Sequence, residues 1–133
     1  METTVLSVRS GARLVTDLTS AVLDFCRGRS DGLCNVFAPH ATAGVALVET
    51  GSGTEQDLAG ALERLLPTED IYAHRHGSLG HGRDHVLPAF VAPSLTLPVL
   101  DGRPALGTWQ SVVLVDPNRD NPLRQVRMSF MSG

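Results

Sequence analysis

Only two stretches of this 133-residue chain repeat apolar residues at the three-and-four spacing of an α-helix, and most other apolar residues fall in runs of four to seven. Leu58, Ala61, Leu62, Leu65 and Leu66 line one helical face until Pro67, which lacks an N–H and clashes with the preceding turn, so a helix must end there. Ser52 and Glu55 stand at capping-box spacing ahead of it. Leu18, Ala21, Val22, Phe25 and Cys26 form the other stripe, predicting a helix over 17–27 with Gly28 as its stop.

The short runs read as strands: Thr3 to Val8, Arg13 to Thr16, Gly32 to Ala38, Gly44 to Val48, Val86 to Val91, Leu95 to Val99, Gln110 to Val115 and Gln125 to Met131. Glycine, proline or polar turns separate them. The resulting order, β-β-α-β-β-α-β-β-β-β, implies an α+β domain with a mixed or antiparallel sheet, although order alone does not fix the pairing. A chain of this length is most economically one domain, 1–133, around one core.

A hydrophobic fraction of 42% and a charged fraction of 19% are those of a soluble globular protein. No apolar run approaches the ~20 residues that a membrane-spanning helix needs. Met1 to Val8 carries an acidic residue where a secretory segment carries positive charge, so the expected location is cytoplasmic, with no membrane partner. Cys26, on a helical stripe, and Cys34, within a strand, read as reduced packing residues. The net charge of −3 argues against a nucleic-acid surface but leaves room for a local anion pocket.

From Pro67 to His85 the pattern shows little periodicity, three glycines (Gly77, Gly80, Gly82) and four histidines (His74, His76, His81, His85), which predicts a long loop of the kind that carries function. His40 lies in a separate turn between two strands. Neutral imidazoles drawn from separate segments suit Zn or a similar divalent ion, with Mg as the alternative. Without a metal, the same rings could bind an anion such as phosphate through N–H donors. Spacing alone does not separate these readings.

Ser94, Leu97, Val99, Gly102, Gly107, Thr108, Trp109, Gln110 and Val112 fill every position of the pattern Ser-x2-aliphatic-x-aliphatic-x2-Gly-x4-Gly-Thr-Trp-Gln-x-aliphatic. This stretch closely resembles the motif of the YjbQ family, also called UPF0047. The resemblance extends to His40-Ala41-Thr42-Ala43, similar to a His-Thr-Thr/Ser-Ala motif with Ala41 in place of a hydroxyl residue, and to Tyr72-Ala73-His74. The run from His85 to Ser94 and Glu49, which follows Val48 where the family has Asn, also match. His81 falls where relatives commonly have Asn, so it substitutes as a donor or adds a ligand. Asp116 takes the place of a family Glu.

The resemblance implies a β-sandwich-like α+β fold with two helices, a homotrimer, and His40, His74 and His85 as the shared metal-site histidines. It also implies a secondary thiamine-phosphate synthase activity, which joins a hydroxymethylpyrimidine diphosphate to a thiazole phosphate and releases pyrophosphate. On that reading Glu49 and His40 are catalytic, and Arg103, Thr108, Trp109 and Gln110 hold the small phosphorylated substrate. Two other functions stay open: a metal-dependent hydrolase of a phosphorylated small molecule, with Glu49 as base, and a trimeric ligand-binding protein without turnover.

Overall fold

The computed structural model describes residues 1–69, 71–74 and 77–133. Its strands are β1 (Glu2–Arg9), β2 (Val15–Asp17), β3 (Gly32–Phe37), β4 (Gly44–Val48), β5 (Ser94–Leu100), β6 (Arg103–Pro104), β7 (Ser111–Val115) and β8 (Leu123–Ser132). Helix α1 (Thr19–Cys26) lies between β2 and β3, α2 (Thr54–Leu65) follows β4, and α3 (His81–Asp84) precedes β5. Five strands form one sheet in the order β1-β8-β3-β5-β6, and three form another in the order β2-β7-β4. Every pairing is antiparallel, from Glu2 opposite Phe130 in the large sheet to Gly44 opposite Val115 in the small one.

Strand β7 explains the layering. Its alternate residues Val112 and Leu114 join a core with Val22 and Cys26 of α1, Cys34 and Val36 of β3, and Val126 and Met128 of β8. Val113 and Val115 turn the other way and pack with Leu62 and Leu66 of α2 and with Leu87. All four β7 residues are fully buried, so the small sheet is the middle layer between the large sheet and α2. Burying a Val or Leu side chain contributes about 1.5–3 kcal/mol, which makes this strand a principal stabilising element.

The α+β class holds with eight strands, but a third helix joins the expected two among the described residues, and two segments exchange roles. Val86 to Val91, expected as a strand, contains the 3-10 turn Leu87–Ala89, because Pro88 sits in it and Leu87 is drawn into the α2 side of the core. The additional strand is β6, a two-residue return of the β5 hairpin. The loop expected from Pro67 to His85 contains α3.

The Ser52–Glu55 capping box does not form. Ser52 has φ 51° and Gly53 φ 85°, both left-handed, so Ser52 does not occupy the N-cap position and α2 begins at Thr54. Helix α1 is shorter than expected, and the Asp17 carboxylate accepts from the Thr19 N–H at 2.9 Å at its start. Cys26 and Cys34 are both free thiols in the core. No helix among the described residues is long and apolar enough to cross a membrane.

Candidate functional site

Helix α3 is short, but its spacing does the work. Gly80, at φ 89°, launches the turn; His81 opens it, and His85 follows in right-handed helical conformation at φ −72°, ψ −14°. Residues four apart on a helix share a face. The Nε2 atoms of His81 and His85 therefore face each other at 3.0 Å. His74 comes in from the segment before α3 and stacks on His85, with ring centroids 4.0 Å apart, while its centroid lies 5.3 Å from that of His81. One ring nitrogen from each of the three lies within 4.8 Å of the others.

Support for this trio comes from the segment after β7. Nδ1 of His81, a residue only 7% exposed, lies 3.0 Å from Oδ2 of Asp120. A carboxylate only accepts, so this contact favours a hydrogen on Nδ1 and a lone pair on Nε2, whereas the Asn118 amide Nδ2, 3.2 Å from the same nitrogen, favours the reverse. The Ser78 N–H also donates to Asp120, at 3.2 Å, and these donors hold the Asp120 carboxyl below its ordinary pKa, with the Ser78 backbone contact the largest cause. Fully buried Asn118 accepts from the Asp120 N–H at 3.1 Å and donates through Nδ2 to Asp84 at 3.1 Å. Asp84 in turn accepts from Arg83 Nε at 2.8 Å.

Gly77 completes the packing. At φ 79°, it would place a Cβ 2.7 Å from Cγ of His81 and 2.8 Å from Oδ2 of Asp120, a separation that real side chains do not show.

The other residues expected at the site fall elsewhere. His40 follows β3, which runs beside β8, and its Nε2 accepts the Gln125 N–H at 2.9 Å. Burial lowers its pKa, and the nearby Arg124 charge lowers it further. Among the described residues of one chain the convergent histidines are thus His74, His81 and His85, rather than His40, His74 and His85. Glu49 follows β4 at Val48, which pairs with Ser111 at the start of β7. Thr108, Trp109 and Gln110 lie just before that start, where Gln110 Oε1 accepts the Gly107 N–H at 2.8 Å and Trp109 is 73% exposed. Arg103 lies on β6, opposite Leu100.

The five residues of β7 span about 16 Å at ~3.3 Å each. Glu49, Thr108, Trp109 and Gln110 therefore cluster at one end of the strand, and the loop supporting the histidines leaves from the other. His76 lies outside the described residues.

A cavity of about 310 Å³ is bordered by Tyr72, His74 and His81, and one of about 540 Å³ adjoins it. The larger is lined by Leu14, Leu62, Arg83, Asp84, Asp116 and Arg119, and both share Ser78 and Leu79. An apolar wall with a few charged groups suits a small polar ligand.

The family model described as UPF0047 protein YjbQ-like matches residues 4–133. The chain belongs to this family. It is 62% identical over 133 residues to a UPF0047 protein of Mycobacterium tuberculosis, with all of both chains covered. It is 32% identical over 117 residues to a UPF0047 protein of Methanothermobacter thermautotrophicus, covering 86% of this chain and 78% of that one. The fold is similar to the crystal structure of a hypothetical protein from Aeropyrum pernix, with a TM-score of 0.90 at 28% identity over all of both chains. A YjbQ-family structure from Clostridium acetobutylicum gives a TM-score of 0.85 at 24% identity, covering 96% of this chain and 99% of that one, a likeness of fold alone.

Within this UPF0047 chain, the signal for His81 was present in the sequence as the His81-x3-His85 spacing, which puts both imidazoles on one face once the segment is helical. Asn118 carries no local signal, and Asp120 lies in the stretch from Arg119 to Arg124, which resembles the family's Asp-Gly-Pro-Arg turn but gives no sign of a contact with His81. They reach the site only through the course of the chain after β7.

Proposed function

We propose that His74, His81 and His85 hold a divalent metal ion and that the site acts on a small phosphorylated molecule. The convergence of three imidazole nitrogens within 4.8 Å carries this reading. An all-nitrogen donor set suits Zn and fits the oxygen-seeking Mg poorly. The Asp120 carboxylate at Nδ1 of His81 supports ligation through its Nε2. A bound ion would stabilise negative charge on phosphoryl oxygens and lower the pKa of a coordinated water. On the wall of the adjoining cavity Arg119 brings a guanidinium suited to phosphate, while Arg83 is held by Asp84, and Glu63, Asp84 and Asp116 share that wall.

Hydrolysis of a phosphorylated small molecule needs only these neighbouring parts. The thiamine-phosphate synthase reading is favoured by one observation, the exposed indole of Trp109, which offers a stacking surface for a ring. It requires Trp109 and Gln110 to reach the histidines, and a homotrimer that brings the Trp109 end of β7 in one copy to the histidines of another would meet that need.

The test begins with chelator-stripped protein. Zn titration should show one site per chain, lost in His81→Ala and His85→Ala; absence of binding by the wild-type chain would sink the metal reading. Phosphate release from small phosphate esters that disappears with chelator supports the hydrolase, whereas thiamine phosphate formed from its two halves, and lost in Trp109→Ala, supports the transferase. Ligand retained with no product in either assay supports a binding protein. Sedimentation reads the trimer directly.

A further inference from the structure

We propose that Asp120 is a positioning residue that fixes the tautomer of His81, so that the Nε2 lone pair is directed at the metal; this rests on the metal reading above. A neutral imidazole ligates through one nitrogen only, and the hydrogen bond at the other nitrogen decides which. Among the described residues, two groups compete for Nδ1 of His81. The Asp120 carboxylate, at 3.0 Å, requires a hydrogen there, whereas the Asn118 amide Nδ2, at 3.2 Å, is a donor and requires a lone pair.

The two outcomes differ at the opposite nitrogen. If Asp120 prevails, Nε2 of His81 is a ligand atom beside Nε2 of His85. If Asn118 prevails, Nε2 carries the hydrogen and the 3.0 Å contact becomes a hydrogen bond between two rings, with one ligand lost.

The surrounding chain favours Asp120. Its backbone N–H is held by Asn118 Oδ1, its carboxylate also accepts from Ser78, and Nδ2 of Asn118 already donates to Asp84. Gly77 leaves room for the Asp120–His81 contact that any larger residue would invade. Asp120 touches no reacting atom in this scheme; it acts through His81.

The experiment measures Zn affinity by competition with a chromophoric chelator, using the full chain and its Asp120→Ala and Asp120→Asn variants. Nitrogen-15 spectra of the metal-free proteins at pH 8 report which ring nitrogen of His81 carries hydrogen. The expected result is a hydrogen on Nδ1 in the wild-type chain, a shift toward hydrogen on Nε2 in Asp120→Ala, and Zn affinity about 10–100-fold weaker. Asp120→Asn, closest in shape, keeps an oxygen acceptor and should fall between the two.

Wild-type Zn binding with equal affinity in Asp120→Ala overturns the inference and leaves the metal site standing. A wild-type spectrum with hydrogen on Nε2 also overturns it. If the wild-type chain binds no Zn, the metal reading falls first and takes this inference with it. Unfolding midpoints of the metal-free variants identify any loss caused by misfolding, in which case Asp120→Asn carries the comparison.

Discussion

Arg124 grips Asp116 twice, through Nε to Oδ2 at 2.7 Å and Nη2 to Oδ1 at 2.9 Å, with both side chains withdrawn from water. Arg124 belongs to β8 of the large sheet, and Asp116 follows β7 of the small one. Thr42 Oγ1 accepts from the same guanidinium at 2.7 Å, and Ser10 Oγ donates to the carboxylate at 2.8 Å. Asp116 Oδ1 also accepts the Asn118 N–H at 3.1 Å. The ion pair thus ties the two sheets together and anchors the loop that supports His81.

Breaking one side of such a pair leaves an uncompensated charge in the interior. Arg124→Met should cost about 3–5 kcal/mol, and Arg124→Met with Asp116→Leu should recover a large part of that cost. Urea unfolding of the two single variants and the double variant measures it. Strictly additive losses would show that the two groups act separately.

Gly77→Ala should damage the candidate site more than the fold. A left-handed non-glycine residue costs about 1–3 kcal/mol, and here the added methyl also meets His81 and Asp120. Gly11→Ala is the control, because Gly11 has φ 61° with nothing within 4 Å of an added Cβ. Both should lose some unfolding free energy, but only Gly77→Ala should weaken Zn binding. Equal Zn affinity in the two would contradict the packing described around His81.

The α1 and α2 stripes were readable because their periodicity reports which face is buried: Val22 and Leu62 are buried as that periodicity requires, although Leu65 of the α2 stripe is 55% exposed. The Val86 to Val91 run misled because a short apolar segment looks alike whether buried as strand or turn, and only its place against α2 decides. His74 and His85 were legible as candidate-site residues from the motif, and they do converge. The neighbours of His81 were not, since Asn118 and Asp120 lie 37 and 39 residues away in sequence and meet it only through tertiary packing. Trp109, which size alone would send to the core, is exposed because it stands in the turn before β7 rather than within the strand.

The two cysteines should be inert to thiol reagents in the folded state. Burial pushes the Cys34 thiol up to about 12, with the neighbouring Cys26 adding to the shift, and burial also raises Cys26. At pH 8 the Cys34 thiolate fraction is then on the order of one in ten thousand, and the reactive form of a cysteine is the thiolate. Labelling with a chromogenic disulfide should be slow and should follow unfolding, both thiols reacting at once in urea. Fast stoichiometric labelling of native protein would mean that α1 opens away from the large sheet.

His40 should make the fold sensitive to mild acid. Its folded-state pKa lies below the ordinary 6.5, chiefly through desolvation and then through Arg124; the Gln125 carbonyl at 3.1 Å, which a charged ring would donate to, offsets this in part. The unfolded chain therefore binds the proton more readily, and stability must rise with pH through this window. The contribution is present in full above about pH 6.5 and declines as pH falls through 6.5 toward the folded-state value. His40→Gln keeps an acceptor for the Gln125 N–H but has nothing to titrate. Unfolding free energies from pH 8 to pH 5 should converge for the wild type and this variant as the wild type loses its advantage. A constant difference across that range would show that His40 is charged in the folded chain as readily as in the unfolded one.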